Sequence, residues 1–260
     1  MKKYLYILTL LLIATSFAKV FANNDNREYY LIRIYHCKSN TQLNTIDDYL
    51  KNVYLPHLHK SGIKKVGVFK PIDNDTVADK RIIVFIPFKK IEEFTELENE
   101  ADKQDPFTKS GNTYIDAAFN DAPFIRIETA LLHAFKDMPK FQAPLLTGNV
   151  TDKIYELRSY ESTTETLYRK KVHMFNEGGE IDIFKRLSFN AVFYAEVLSG
   201  SHMPNLMYMT SFNSKAEREE HWKAFSADAT WKKISTSPEY ANTVSKSDIV
   251  LMHATEYSDL

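Results

Sequence analysis

The residues best equipped for chemistry come in matched pairs. Tyr30-Leu-Ile-Arg33-Ile-Tyr35 recurs as Tyr155-Glu-Leu-Arg158-Ser-Tyr160, offset by 125 positions. On an extended strand, residues two apart share a face, so each arginine stands beside a tyrosine. Glu156, Arg158 and Tyr160 then lie opposite Tyr155 and Leu157, and Arg33 and Tyr35 lie opposite Tyr30, Ile32 and Ile34. With the more apolar face packed on helices, the polar face is expected to point between two sheets. A buried guanidinium must be paired or must bind an anion. A guanidinium and a phenol together suit an anionic or phenolic ligand. The candidate ligand-binding residues are therefore Arg33, Tyr35, Glu156, Arg158, Tyr160 and Tyr194. The structural alternative pairs each arginine with a carboxylate, for which Glu156 and Glu196 are the candidates.

Proton transfer has three candidates. Glu196 lies in the otherwise apolar Phe193-Tyr-Ala-Glu-Val-Leu198, on the face of Tyr194, and apolar surroundings raise a carboxyl pKa. His133 and His253 hold matching places in Leu131-Leu-His133-Ala134 and Leu251-Met-His253-Ala254. Either histidine is a candidate base or haem ligand, against a hydrogen-bonded structural role. Neither has companions at metal-ligand spacing, and His57 and His59, two apart, do not share a helix face, so no metal site is expected. No motif indicates a cofactor. Gly-rich phosphate loops, nucleophile elbows and zinc helix motifs do not occur. The single cysteine, Cys37, excludes an internal disulfide. Trp222 and Trp231 read as core anchors, with Arg218 one helical turn before Trp222, placed to stack on its ring or to cap a carboxylate.

The elements that must position these groups repeat as well. Ile86-Pro-Phe88 and Thr210-Ser-Phe212 each lead into a charged helical run. Each copy reads strand, helix, strand, strand, helix, strand. The first copy has strands at 28–37, 65–70, 81–88 and 124–135. Its first helix follows a capping box at Thr45 and Asp48 and is closed by Pro56 and Gly62. The second copy adds a segment, 178–186, and opens its second helix with Ser214 and Glu217. This order is the ferredoxin-like plan. The expected fold is α+β: two tandem ferredoxin-like (βαββαβ) repeats packed sheet to sheet as a pseudo-dimeric α/β barrel. Residues 27–136 form the divergent first repeat, 137–152 the linker and 153–260 the second repeat.

The second copy also resembles a known family. Lys153-Ile-Tyr-Glu-Leu-Arg-Ser-Tyr160, Phe184-Lys-Arg-Leu-Ser-Phe-Asn-Ala-Val-Phe-Tyr194, Met203-Pro-Asn-Leu-Met-Tyr208, Arg218 with Trp222, and Asp228-Ala-Thr-Trp231 are similar to NIPSNAP proteins. The first copy lacks counterparts of Trp222 and Trp231. The resemblance implies the dimeric α/β-barrel superfamily, whose members include cofactor-free monooxygenases, isomerases and haem-handling enzymes.

The first 22 residues read as an export signal, with Lys2 and Lys3, an apolar run from Leu5 to Ala14, and Val20-Phe21-Ala22 before the cut. The expected location is periplasmic or extracellular, with no membrane span after signal removal. Loss of Lys2, Lys3 and Lys19 leaves 30 basic against 34 acidic residues, so nucleic acid is not an expected partner. The leading expectation is a small anionic or aromatic ligand in the barrel cavity, bound or transformed. The alternative is a non-catalytic protein–protein interaction module with a side-chain-filled barrel and a contact surface at 178–186. Self-association is compatible with either.

Overall fold

The computed structural model describes residues 26–102 and 114–260. The proposed export signal lies outside the described residues. In chain order the elements are β1 (Tyr29–Cys37), α1 (Asn40–Tyr49), a π turn (Leu50–Tyr54), α2 (Leu55–Lys60), β2 (Gly67–Pro71), β3 (Lys80–Phe88), α3 (Ile91–Asp102) and β4 (Arg126–Ala134). The second copy follows with β5 (Ile154–Glu161), α4 (Glu165–Phe175), α5 (Glu180–Arg186), β6 (Ala191–Ser199), β7 (Asn205–Phe212), α6 (Lys215–Ala227), α7 (Ala229–Ser235), a 3-10 turn (Pro238–Tyr240) and β8 (Lys246–Ala254).

All eight strands close into one barrel, in the order β1-β3-β2-β8-β5-β7-β6-β4. Tyr, Ile, Val and Phe crowd these segments, as half-buried pleated surfaces favour. The halves meet at two seams, β4 with β6 and β2 with β8, both antiparallel. Closure leaves no unpaired strand edge among the described residues.

Helix starts follow local chemistry. Thr164 and Ser214 each accept a hydrogen bond from the backbone N–H three residues on, and Asp228 accepts from those of Thr230 and Trp231. The first helix begins earlier than the capping pattern at Thr45 suggests. Ser39 is its cap, accepting from Gln42 N, and Thr45 lies inside the helix, its hydroxyl bonded to Thr41 O. Pro56 does not close it either. The ladder widens into the π turn just before Pro56, which lacks an N–H, and helical geometry continues to Lys60. Gly62 does the closing, at φ +86°, where Ile63 N reaches back to Leu58 O.

Among the described residues, three apolar clusters result. One fills the barrel: Tyr30, Phe69, Phe85, Tyr155 and Phe193 stack at its centre, with Leu132, Leu157, Met209 and Met252 around them. Phe85 and Phe193 lie parallel at 5.1 Å, and Phe69 meets Tyr155 at 4.7 Å. The other two lie outside the barrel, each between a set of strands and its own helices. The segment 137–152 crosses one end of the barrel. It is held by Glu28 N to Pro139 O, Gln142 N to Val192 O and the Asn213 amide oxygen, which accepts from Thr147 N and Gly148 N. Phe141 and Leu146 from this segment, and Leu260 from the chain end, pack against the barrel cluster and plug that end.

Strand orientation is the reverse of the one expected for Arg33, Tyr35, Glu156, Arg158 and Tyr160. Tyr30, Ile32, Tyr155 and Leu157 point into the barrel, and the arginine-bearing faces lie under the helices. A closed barrel is walled by strands on every side, so its interior is the drier layer and takes the apolar face. The helix layer has edges where charged groups reach water.

Candidate functional site

Under the second-repeat helices, Glu156 is fully buried at the hub of a polar network. Arg158 donates from Nε at 2.7 Å and lies within 2.6 Å through Nη2. Arg218, brought over by α6, donates from Nε at 2.8 Å and from Nη2 at 2.9 Å, and Trp222 donates its indole N–H at 2.9 Å. Burial works to raise the Glu156 pKa, but the bonds from Arg218, the charge of Arg158 and the Trp222 bond prevail and hold it below the usual carboxylate value. The remaining Arg158 nitrogen donates to Tyr160 OH, which bonds Tyr208 OH at 2.9 Å. The Arg158 guanidinium also lies 3.6 Å from the Trp222 ring centroid. Every nitrogen of Arg158 is therefore engaged within the protein, as the structural alternative requires.

Deeper in the same layer, Lys171 and Glu180 form a buried pair at 2.7 Å, with the ammonium facing the Phe175 ring at 4.7 Å. Tyr194 is enclosed by Phe175, Phe184 and Tyr208. Burial, then the charge of Glu180, pushes its phenol well up. The segment 178–186 serves this layer. Gly179, at φ +86°, opens α5, and Glu180, Ile181, Ile183 and Phe184 face inward. Its apolar residues are spent on the core, and Asp182, Lys185 and Arg186 form its exposed face.

The first repeat keeps the arginine and changes its company. Arg33 donates from Nη1 to Tyr54 OH at 3.0 Å and from Nη2 to Glu98 at 2.8 Å. Its Nε–H is buried and meets no well-aligned acceptor among the described residues, with the Tyr35 hydroxyl beside the guanidinium. Around it stand Tyr35, Tyr49, Tyr54 and Tyr114, with Tyr49 and Tyr114 stacked at 3.9 Å. Burial drives the Tyr35 and Tyr54 phenols upward, against the charge of Arg33, so both stay protonated. Cys37, on the same face, is pushed up to about 11 by burial and then by Asp79 and Asp47, which makes it a poor nucleophile.

The proton-transfer candidates sit at the seams, on the outer face. His133 pairs with Glu196 across β4 and β6, and His253 pairs with Lys70 across β8 and β2. His133 stacks on Tyr29 at 4.5 Å, and His253 bonds Lys153 O through Nδ1. Glu196 accepts from Tyr168 OH at 3.2 Å and lies 3.6 Å from Arg27. His133 is opposite Tyr29, four residues along β1 from Arg33, a separation of about 13 Å at ~3.3 Å per residue. Neither His133 nor His253 touches the Arg33 or Arg158 groups. Among the described residues, no three His, Cys, Asp or Glu side chains converge as a metal site.

Residues 155–259, which carry Glu156, Arg158, Arg218 and Trp222, match the NIPSNAP family. The match spans the second repeat. No protein of curated function matches it. A candidate monooxygenase from Lactobacillus acidophilus is 12% identical with a TM-score of 0.54, covering 88% of this chain and 94% of that one. Another, from Fusobacterium nucleatum, is 9% identical with a TM-score of 0.51, covering 88% and 92%. These two share the barrel fold of this chain. A NIPSNAP family protein from Agrobacterium tumefaciens is 18% identical with a TM-score of 0.37, covering 46% of this chain and 98% of that one.

Several members of both layers carry no signal in the sequence that links them to the arginines: Lys171, Glu180, Tyr54, Glu98 and Tyr114 belong to no motif, and Tyr208 enters only through the family resemblance. Trp222 was assigned to the core alone, although its indole N–H also binds Glu156. Arg218 caps that carboxylate, and it is Arg158 that stacks on the indole.

Proposed function

We propose that this protein binds a small anionic or phenolic molecule beneath the helices of its first repeat, anchored by Arg33. The carrying observation is the buried Arg33 Nε–H, which has no well-aligned acceptor among the described residues, where the matched Arg158 has every nitrogen engaged. An unmet buried donor costs about 1–3 kcal/mol, which a ligand oxygen would recover. Glu98, the present partner of Nη2, is 46% exposed. Such an exposed ion pair is worth little, so an incoming anion can replace it. The tyrosines around Arg33 supply flat walls for a ring. Solved barrels of the same shape carry monooxygenase names, but the reading rests on Arg33 rather than on shape. Because the barrel centre is filled by aromatic rings, the ligand is assigned to the helix layer.

The test is native mass spectrometry of the signal-free chain as purified, followed by titration with 4-hydroxybenzoate. Arg33→Met should abolish any co-purifying mass and weaken the titration at least tenfold, while Arg158→Met leaves both unchanged where it remains folded. Equal binding by Arg33→Met and the parent protein would overturn the proposal. We propose also that the chain is exported and cut after Ala22. An intact mass beginning at Asn23 in a periplasmic or medium fraction supports this, and an uncut cytosolic chain refutes it.

A further inference from the structure

The end of the barrel opposite the linker plug holds a cavity of about 80 Å³. Its floor is apolar, made by Ile34, Ile83, Leu157, Met207 and Val250. Its rim is charged, and most of that charge is already paired. Glu128 lies 3.6 Å from His36 Nε2 and accepts from Ser201, and His36 Nδ1 faces Asp79 at 3.0 Å. On the other side, Glu161 holds Lys246 at 3.2 Å and His202 at 3.4 Å.

Two charged side chains on the rim remain. Arg81 and Asp248 both line the cavity, and neither side chain has a hydrogen bond or ion pair among the described residues. They carry opposite signs. A simple anion attracted to Arg81 would meet Glu128, Glu161 and Asp248, and a simple cation attracted to Asp248 would meet Arg81 and Lys246. A molecule carrying both charges satisfies both. Size points the same way. The volume is about half of the ~150 Å³ that accommodates benzene, so an aromatic ring does not fit, and a two-carbon or three-carbon skeleton does.

We propose that the barrel mouth is a second ligand site, distinct from the Arg33 pocket, that takes a small ammonium carboxylate of the glycine or alanine class. The carboxylate pairs with Arg81 and the ammonium with Asp248, while any short aliphatic group rests on the floor of Ile34, Ile83 and Val250.

Calorimetry and saturation-transfer NMR on the full signal-free chain test this with glycine, acetate and methylammonium as separate probes. Glycine should bind saturably at millimolar concentration or better, with acetate and methylammonium each at least tenfold weaker. Arg81→Gln and Asp248→Asn should each weaken glycine at least tenfold. Both side chains lie at the rim, so unchanged melting curves confirm that the variants fold. Arg33→Met should leave glycine binding intact, which separates this site from the first. Absence of saturable glycine binding would overturn the proposal. So would acetate matching glycine with no effect of Asp248→Asn, the signature of a plain anion site.

Discussion

Glu156→Gln is the sharpest test of the second-repeat network. The side chain is wholly buried, and its two oxygens receive N–H groups from Arg158, Arg218 and Trp222 at 2.6–2.9 Å. Glutamine removes the charge and sets an amide NH₂ against guanidinium donors. It leaves two arginines held close together with nothing to neutralise them. Removing one partner of a buried ion pair costs about 3–5 kcal/mol. The arginine side chains are 12% and 17% exposed, so water recovers part of that, and about 3 kcal/mol is expected. For a domain of this size, Tm falls by about 2–4 °C per kcal/mol, giving roughly 6–12 °C. The assay is thermal and urea unfolding followed by tryptophan fluorescence. The only two tryptophans, Trp222 and Trp231, both report on this layer. The pH dependence has a definite sign. The folded pKa of Glu156 is depressed below its ordinary 4.5, so its stabilisation is complete above that value. It is lost as pH falls through the depressed pKa. The gap between parent and variant should be constant from pH 5 to 8 and narrow only below 4.5. A Tm change under about 2 °C at neutral pH would refute the reasoning.

Other consequences are as open to measurement. Lys171→Met should destabilise by about 3 kcal/mol because Glu180 is left buried and alone, while the double variant with Glu180→Gln should recover most of the loss. A double-mutant cycle showing simple additivity would sink that account. Phe141→Ala should cost about 2 kcal/mol, less than a fully buried phenylalanine, by opening the plugged barrel end. A cost below about 0.5 kcal/mol would mean the plug is dispensable. Native Cys37, with its thiol near 11, should react with a disulfide reagent roughly two orders of magnitude more slowly than the unfolded chain at neutral pH. Equal rates would show the site to be open.

The repeat, the strand order and the matched arginines were legible because strand composition and offset are properties of the linear chain. The direction in which those strands face was not. Alternation separates Arg158 from Leu157, but which side is drier depends on whether the sheets close, a property of both halves together. The carboxylate partner of Arg158 was legible, since Glu156 lies on the same strand face. That Arg218 and Trp222 complete its shell was not, because they arrive on a helix some sixty residues later. The contrast between Arg33 and Arg158 was equally hidden. Both motifs look alike over six residues, and the difference lies in Glu98, Tyr54 and Tyr114, which no local pattern joins to Arg33. His133 and His253 were found as a matched pair, but only strand register reveals that one faces Glu196 and the other Lys70.

The segment that crosses the barrel end also changes what the two halves are free to become. Joined by 137–152, they meet at the effective concentration set by a short tether, commonly in the millimolar range, rather than at that of the protein in solution. Barrel closure is thereby immune to dilution. Two identical unlinked chains would have to place every substitution in both copies, so an opened arginine in one would be an opened arginine in the other. Tethering lifts that restriction. One half can hold Arg158 in a saturated scaffold while the other leaves the Arg33 Nε–H uncommitted, a division of labour that a symmetric dimer could not inherit.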